Sequence, residues 1–135
     1  MKIKRFLCAA LAAVAMSVSA GTPKYIFYFI ADGMGPGIVM AANTYLRMVK
    51  DRPEGLVMTQ FPVASVCQTY SLTSPVTDSA AAGTALACGV KTQNGMIGMD
   101  GDSVPVQSVA QVLQKHGYGV GIVTTCTPND ATPGP

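Results

Sequence analysis

Residues 25–35 read Y-I-F-Y-F-I-A-D-G-M-G, an unbroken apolar and aromatic run that stops abruptly at Asp32-Gly33. A continuous run of strand length, rich in aromatic and β-branched side chains, is what a strand covered on both faces requires. Asp-Gly-x-Gly then marks a turn.

Downstream the pattern alternates. Pro36 suits the first turn of a helix, and Ile38, Ala41, Ala42, Tyr45 and Val49 recur at helical spacing until D-R-P-E-G, residues 51–55, breaks it. Val63 to Tyr70 reads as a second, partly alternating strand, and Thr77 or Asp78 can cap a small-residue helix that runs to Gly89. Gln93 to Asp102 is a loop. Val106, Val109, Ala110 and Leu113 form a helical stripe ending at Gly117, V-G-I-V-T-T at 120–125 returns as a buried strand, and residues 128–135 form a closing loop. Strands alternating with helices predict an α/β fold with a largely parallel sheet, whose ligands lie beyond the carboxyl ends of the strands. Asp32, Ser79, Asp130 and Thr132 all fall just past predicted strands.

The chain has 135 residues, 49% hydrophobic and only 12% charged, which predicts one ordinary domain around an apolar core and excludes disorder. Its first twenty residues differ: Lys2, Lys4 and Arg5 precede an apolar run from Phe6 to Val18, closed by Val18-Ser19-Ala20. That is the pattern of a secretory signal peptide, and the run falls short of the roughly 20 residues that span a bilayer. A secreted chain, periplasmic or extracellular, with no stable membrane anchor after cleavage is expected. Without the leader, six basic residues face seven acidic ones, a formal charge of −1. No basic tract interleaved with aromatics remains, which excludes a nucleic-acid-binding surface. Cys67, Cys88 and Cys126 have no C-x-x-C spacing, so neither a zinc knuckle nor a full disulfide framework is implied; they read as small buried apolar residues with room for one bridge.

Two positions could carry chemistry. Asp32, at the carboxyl end of a strand and followed by Gly-x-Gly, is placed to hold a hard cation, or else simply opens a β-turn. Ser79, at a helix start with Ala80, Ala81, Ala82 and Gly83 beside it, meets unsatisfied amides and the positive end of the helix dipole, a setting that receives phosphate. Capping by Thr77, Asp78 or Ser79, with the small residues merely allowing close packing, fits the spacing equally. The single histidine, His116, sits in K-H-G at a helix C-terminus, so a Ser-His-Asp triad is disfavoured and metal coordination is the other route to an activated hydroxyl. Asp32, Asp130 and Thr132 supply oxygen ligands for it. Gly83 and G-V-K-T at 89–92 imitate a P-loop, but Val90 separates Gly89 from Lys91 and the spacing between the glycines is wrong.

With those residues in place, the sequence resembles the alkaline phosphatases. V-T-D-S-A-A-A-G-T, residues 76–84, looks like that family's active-site signature; G-V-K-T follows it, I-A-D-G-M-G at 30–35 is similar to the first metal-binding strand end, and D-A-T-P at 130–133 resembles a third site. The resemblance covers nearly all of residues 25–133 in the family's order. It implies an alkaline-phosphatase-like three-layer αβα sandwich with a mostly parallel sheet, incomplete here, with residues 1–20 as signal peptide and 21–135 as the N-terminal portion of the domain. The implied activity is hydrolysis of phosphate monoesters through a phosphoserine intermediate, with two zinc ions and one magnesium. Ser79 is then the nucleophile and meets zinc, Asp32 bridges a zinc and the magnesium, Thr132 ligates magnesium, Asp130 orients the waters on it, and Asp78 helps position a phosphate-binding arginine. The family's remaining zinc ligands, last magnesium carboxylate and arginine come after the point matching Pro135, and one histidine cannot furnish two zinc sites. An inactive N-terminal fragment is therefore expected. A homodimer follows from family analogy alone. The alternatives are a related phosphodiesterase or sulfatase, in which threonine or a modified cysteine tends to replace the serine, and a non-catalytic secreted remnant.

Overall fold

The computed structural model describes residues 21–135, so the signal peptide expected at 1–20 lies outside the described residues. Helix α1 spans Pro36–Met48, a short 3-10 turn Val57–Gln60, helix α2 Ser79–Cys88 and helix α3 Val109–Lys115.

Each helix begins and ends for a local reason. Pro stands in the first turn of α1, where its missing N–H costs nothing, and Arg47 in the last turn offsets the dipole. Asp51 then turns to φ 50 and ends the run. Gly55, at φ 69, lets the chain fold back on α1: a Cβ there would lie 2.5 Å from Asn43 Oδ1, the atom that accepts from Leu56 N at 2.7 Å. Asp78 caps α2, its side chain accepting from Ala81 N, and Gly89 closes it in the left-handed region at φ 73. At the start of α3, Ser108 and Gln111 form a capping box, in which Gln111 Oε1 accepts from Ser108 N at 3.1 Å. Val106, placed in the helical stripe by spacing, stands before this helix.

The expected sheet is the main difference. None of residues 25–31, 63–70 and 120–125 forms a strand, and the one β pairing among the described residues is an isolated antiparallel bridge between Met99 and Pro105. The three runs have the side chains of buried strands but not the setting, for Phe29 is 85%, Val66 97% and Val123 100% exposed. A parallel strand needs a neighbour on its hydrogen-bonding edge and a layer over each face. The three runs supply neither to one another, so the expected mostly parallel sheet is not formed among the described residues.

The packed region lies instead around α2 and residues 71–108. Its buried apolar side chains are Ala80 and Ala81, beside buried Ser71, Thr84, Thr92 and Ser108. A core this small is held by hydrogen bonds more than by apolar area, which corrects the apolar core expected from composition. Thr84 Oγ1 donates to Met96 O at 3.2 Å and accepts from Gly98 N at 2.9 Å, while Thr92 Oγ1 donates to Asp100 O at 3.0 Å. Leu72 N donates to Thr92 O, and Val106 N to Gly98 O, both at 2.9 Å. Among the described residues no buried side-chain nitrogen or oxygen lacks a partner, as a polar interior requires.

The cysteines also differ from expectation. Cys67, Cys88 and Cys126 are free thiols, and Cys67 and Cys126 are exposed. Cys88 alone is half-buried, which pushes its thiol pKa up.

Candidate functional site

Three distant pieces of chain meet at Asp32. The Asp32-Gly33 turn follows the first apolar run, and Gly33 carries the positive φ of 68 that the turn demands. Tyr28 OH, donating to Leu86 O at 3.4 Å, lays that run along α2. Ser79 is the first residue of α2, and its Oγ donates to Asp32 Oδ2 at 2.7 Å. Thr132 Oγ1 donates to the same oxygen at 3.0 Å.

Gly83 delivers Thr132. A Cβ on Gly83 would meet Ala131 O at 3.1 Å and Thr132 O at 3.3 Å, so the bare backbone of α2 is the seat of the 130–135 loop. The small residues of the signature thus serve packing as well as room beside the serine.

Two hydroxyl donors on one carboxylate favour its charged form. The Asp32 pKa is lowered from its ordinary value, first by Ser79, then by Thr132, with burial opposing weakly and the Gly33 amide adding a little. A carboxylate so held orients the Ser79 hydroxyl and is a poor acceptor for its proton.

Asp78 uses both oxygens beside the serine. Oδ1 caps α2 through Ala81 N at 2.9 Å, and Oδ2 accepts from Gly95 N at 2.6 Å. The open choice of cap is thereby decided for Asp78, which leaves the Ser79 side chain free to point at Asp32. Asp130 is not drawn into this group: its Oδ1 accepts from Ala131 N at 2.7 Å and its carbonyl from Gly134 N at 2.9 Å, both within its own loop. His116 is the C-cap of α3, away from the serine's hydrogen bonds.

The donor set at Asp32 is oxygen only, one carboxylate and two hydroxyls. That suits magnesium, which takes one or two carboxylates and keeps several waters. Asp32, Thr132 and Ser79 are the residues able to hold it. Zinc fits poorly, because its sites normally include nitrogen or sulfur and this cluster offers oxygen alone.

Spacing did not single out Asn94 or Thr84, which brace this site. Asn94 Oδ1 accepts from Asp78 N at 3.3 Å and Nδ2 donates to Val76 O at 3.2 Å. The Asn94-Gly95 pair was a visible signal, but it reads as a turn.

Comparison with known proteins bears on this geometry. The family model "Alkaline phosphatase" matches residues 23–135. The alkaline phosphatase of Schizosaccharomyces pombe is 32% identical over 111 residues, 82% of this chain and 21% of that protein. The tissue-nonspecific isozyme of Homo sapiens is 32% identical over 129 residues, 86% of this chain and 25% of that one. Among solved structures, a cold-active alkaline phosphatase from a psychrophilic Shewanella sp. superposes with a TM-score of 0.68 at 33% identity, covering 77% of this chain and 27% of that chain. A TAB5 alkaline phosphatase mutant with Mg bound gives 0.59 at 34%, covering 70% and 27%. The chain therefore spans about a fifth to a quarter of the curated relatives it matches.

Proposed function

The chain belongs to the alkaline phosphatase family, and from that premise we propose that it carries the nucleophile and part of the metal site of a secreted, metal-dependent phosphate monoester hydrolase. The observation that supports this most is the 2.7 Å bond from Ser79 Oγ to Asp32 Oδ2 at the first residue of α2. A serine there stands among helix amides that have no partner within the helix, where an incoming phosphoryl group is favoured by charge.

In the proposed reaction Ser79 Oγ forms a bond to phosphorus as the ester P–O bond breaks. The Ser79 proton goes to solvent, and the leaving alkoxide takes one from water. Water then cleaves the P–Oγ bond, releasing phosphate and restoring the serine. Asp32 holds the Ser79 hydroxyl in place, Asp78 fixes the start of α2, where the resemblance would have it position a phosphate-binding arginine from further along the family's chain, and Thr132 steadies Asp32 from the opposite loop. Asp130 is assigned the orientation of waters beside Thr132. A divalent cation held by Asp32 and Thr132 would screen the phosphoryl charge and lower the pKa of a hydroxyl it touches. The two zinc ions of the resemblance have no nitrogen or sulfur donors here, and no step is assigned to them.

The test incubates the whole chain with an aryl phosphate and magnesium, quenches in acid and locates phosphate on the peptide by mass spectrometry. Phosphate on Ser79, absent in Ser79→Ala, is expected without sustained turnover, in keeping with an inactive N-terminal fragment. Phosphate release undiminished in Ser79→Ala, or no label on the wild-type chain, overturns the reading. A diester or sulfate ester turned over faster than the monoester would move the assignment to the related phosphodiesterases or sulfatases.

A further inference from the structure

We propose that Asn94 is a positioning residue for Ser79, acting as a stand-in peptide group for the segment that enters α2; this rests on the nucleophile reading above. Residues 76–78 run into the helix without a strand partner. Asn94 takes the partner's place. Its Nδ2 donates to Val76 O at 3.2 Å and its Oδ1 accepts from Asp78 N at 3.3 Å, the pair of bonds on either side of one residue that a parallel neighbour's backbone provides. Its own amide donates to Thr73 Oγ1 at 3.3 Å, and the next amide, Gly95 N, reaches Asp78 Oδ2 at 2.6 Å. Gly95 carries φ 86, a conformation that L side chains rarely adopt.

The loop bearing Asn94 is itself fixed to the middle of α2. Thr84 Oγ1 binds Met96 O and Gly98 N from inside the helix, and Thr92 is fully buried. The clamp therefore joins the residues just before Ser79 to those five residues after it, and so sets the direction in which Ser79 Oγ meets Asp32. A carboxamide one methylene from the backbone is needed. Aspartate keeps the acceptor for Asp78 N but offers no donor and sets a charge against Val76 O, while alanine offers neither.

The experiment compares the whole chain with Asn94→Ala and Asn94→Asp. Amide hydrogen exchange at Asp78 and Gly95, the NOE between Ser79 and Asp32 side-chain protons, and the rate of Ser79 phosphorylation by an aryl phosphate are followed. In Asn94→Ala, exchange at the Asp78 amide, which loses its acceptor, rises on the order of tenfold, and at Gly95, whose acceptor Asp78 Oδ2 is only loosened, by less, while Ala87 and Cys88 stay protected. The NOE weakens, and phosphorylation at saturating ester slows with the half-saturating concentration little changed. Asn94→Asp falls between, with Asp78 still protected. Unchanged exchange overturns the proposal, and so does faster exchange with the NOE and the phosphorylation rate both intact, which would leave Asn94 a purely structural residue. If the wild-type chain is never labelled, the nucleophile reading has failed, and the NOE alone decides whether Asn94 positions Ser79.

Discussion

At the scale of the residue, Asp32 is the junction on which the site depends. Its folded pKa is depressed, so the stabilisation from its two hydroxyl bonds is fully present above the carboxylate's ordinary pKa and is lost as pH falls through the lowered folded value. A side-chain NMR titration should find Asp32 below the usual carboxylate range, with Ser79→Ala raising it more than Thr132→Val; equal values in all three proteins would count against the bonding seen here. Asp32 and Ser79 were legible as candidates because each lies in a short motif with its own chemistry. Asn94 was not, since its partners Val76 and Asp78 lie 18 and 16 residues away. Nothing in local spacing announces a side chain that replaces a strand.

At the scale of the element, α2 holds the serine and seats the loop that brings Thr132. Replacing Asp78 by Ala removes both the cap on Ala81 N and the bond from Gly95 N, and loss of a cap costs about 1 kcal/mol. Exchange of the Ala81 amide should accelerate roughly fivefold, and less in Asp78→Asn, which keeps an acceptor. A second change acts on the seat of the 130–135 loop. Gly83→Leu drives side-chain atoms into Ala131 O and Thr132 O, an overpacking worth about 1–3 kcal/mol. The Thr132 bond to Asp32 should then be lost, and magnesium titrated against the Thr132 amide resonance should bind more weakly than to the wild-type chain. The helix limits were legible because their signals are local: Pro36 at a start, Asp78 as a cap, Gly89 as a stop. The strands were not. Tyr25–Ala31 has the composition of a buried strand, but pairing and cover come from elsewhere in a fold, and composition records only the demand for them.

At the scale of the whole molecule, apolar surface lies open along the same runs. Phe27 is 78%, Phe29 85% and Val123 100% exposed, and contiguous surface of this kind in a soluble protein marks association. Sedimentation should show the chain self-associating as concentration rises, with binding of an apolar dye; a monodisperse monomer at all concentrations would contradict this. The site itself is stitched over very unequal distances. Ser79 reaches Asp32 across 47 residues of chain and Thr132 reaches it across 100. Once Ser79 is docked on Asp32, only the chain from Ser79 to Thr132 remains to be closed, at about the same entropic cost as the first closure, and the bond it makes is the longer of the two. The two closures are therefore matched halves of one knot on Asp32, and a break in either bond leaves the other half of the knot still tied.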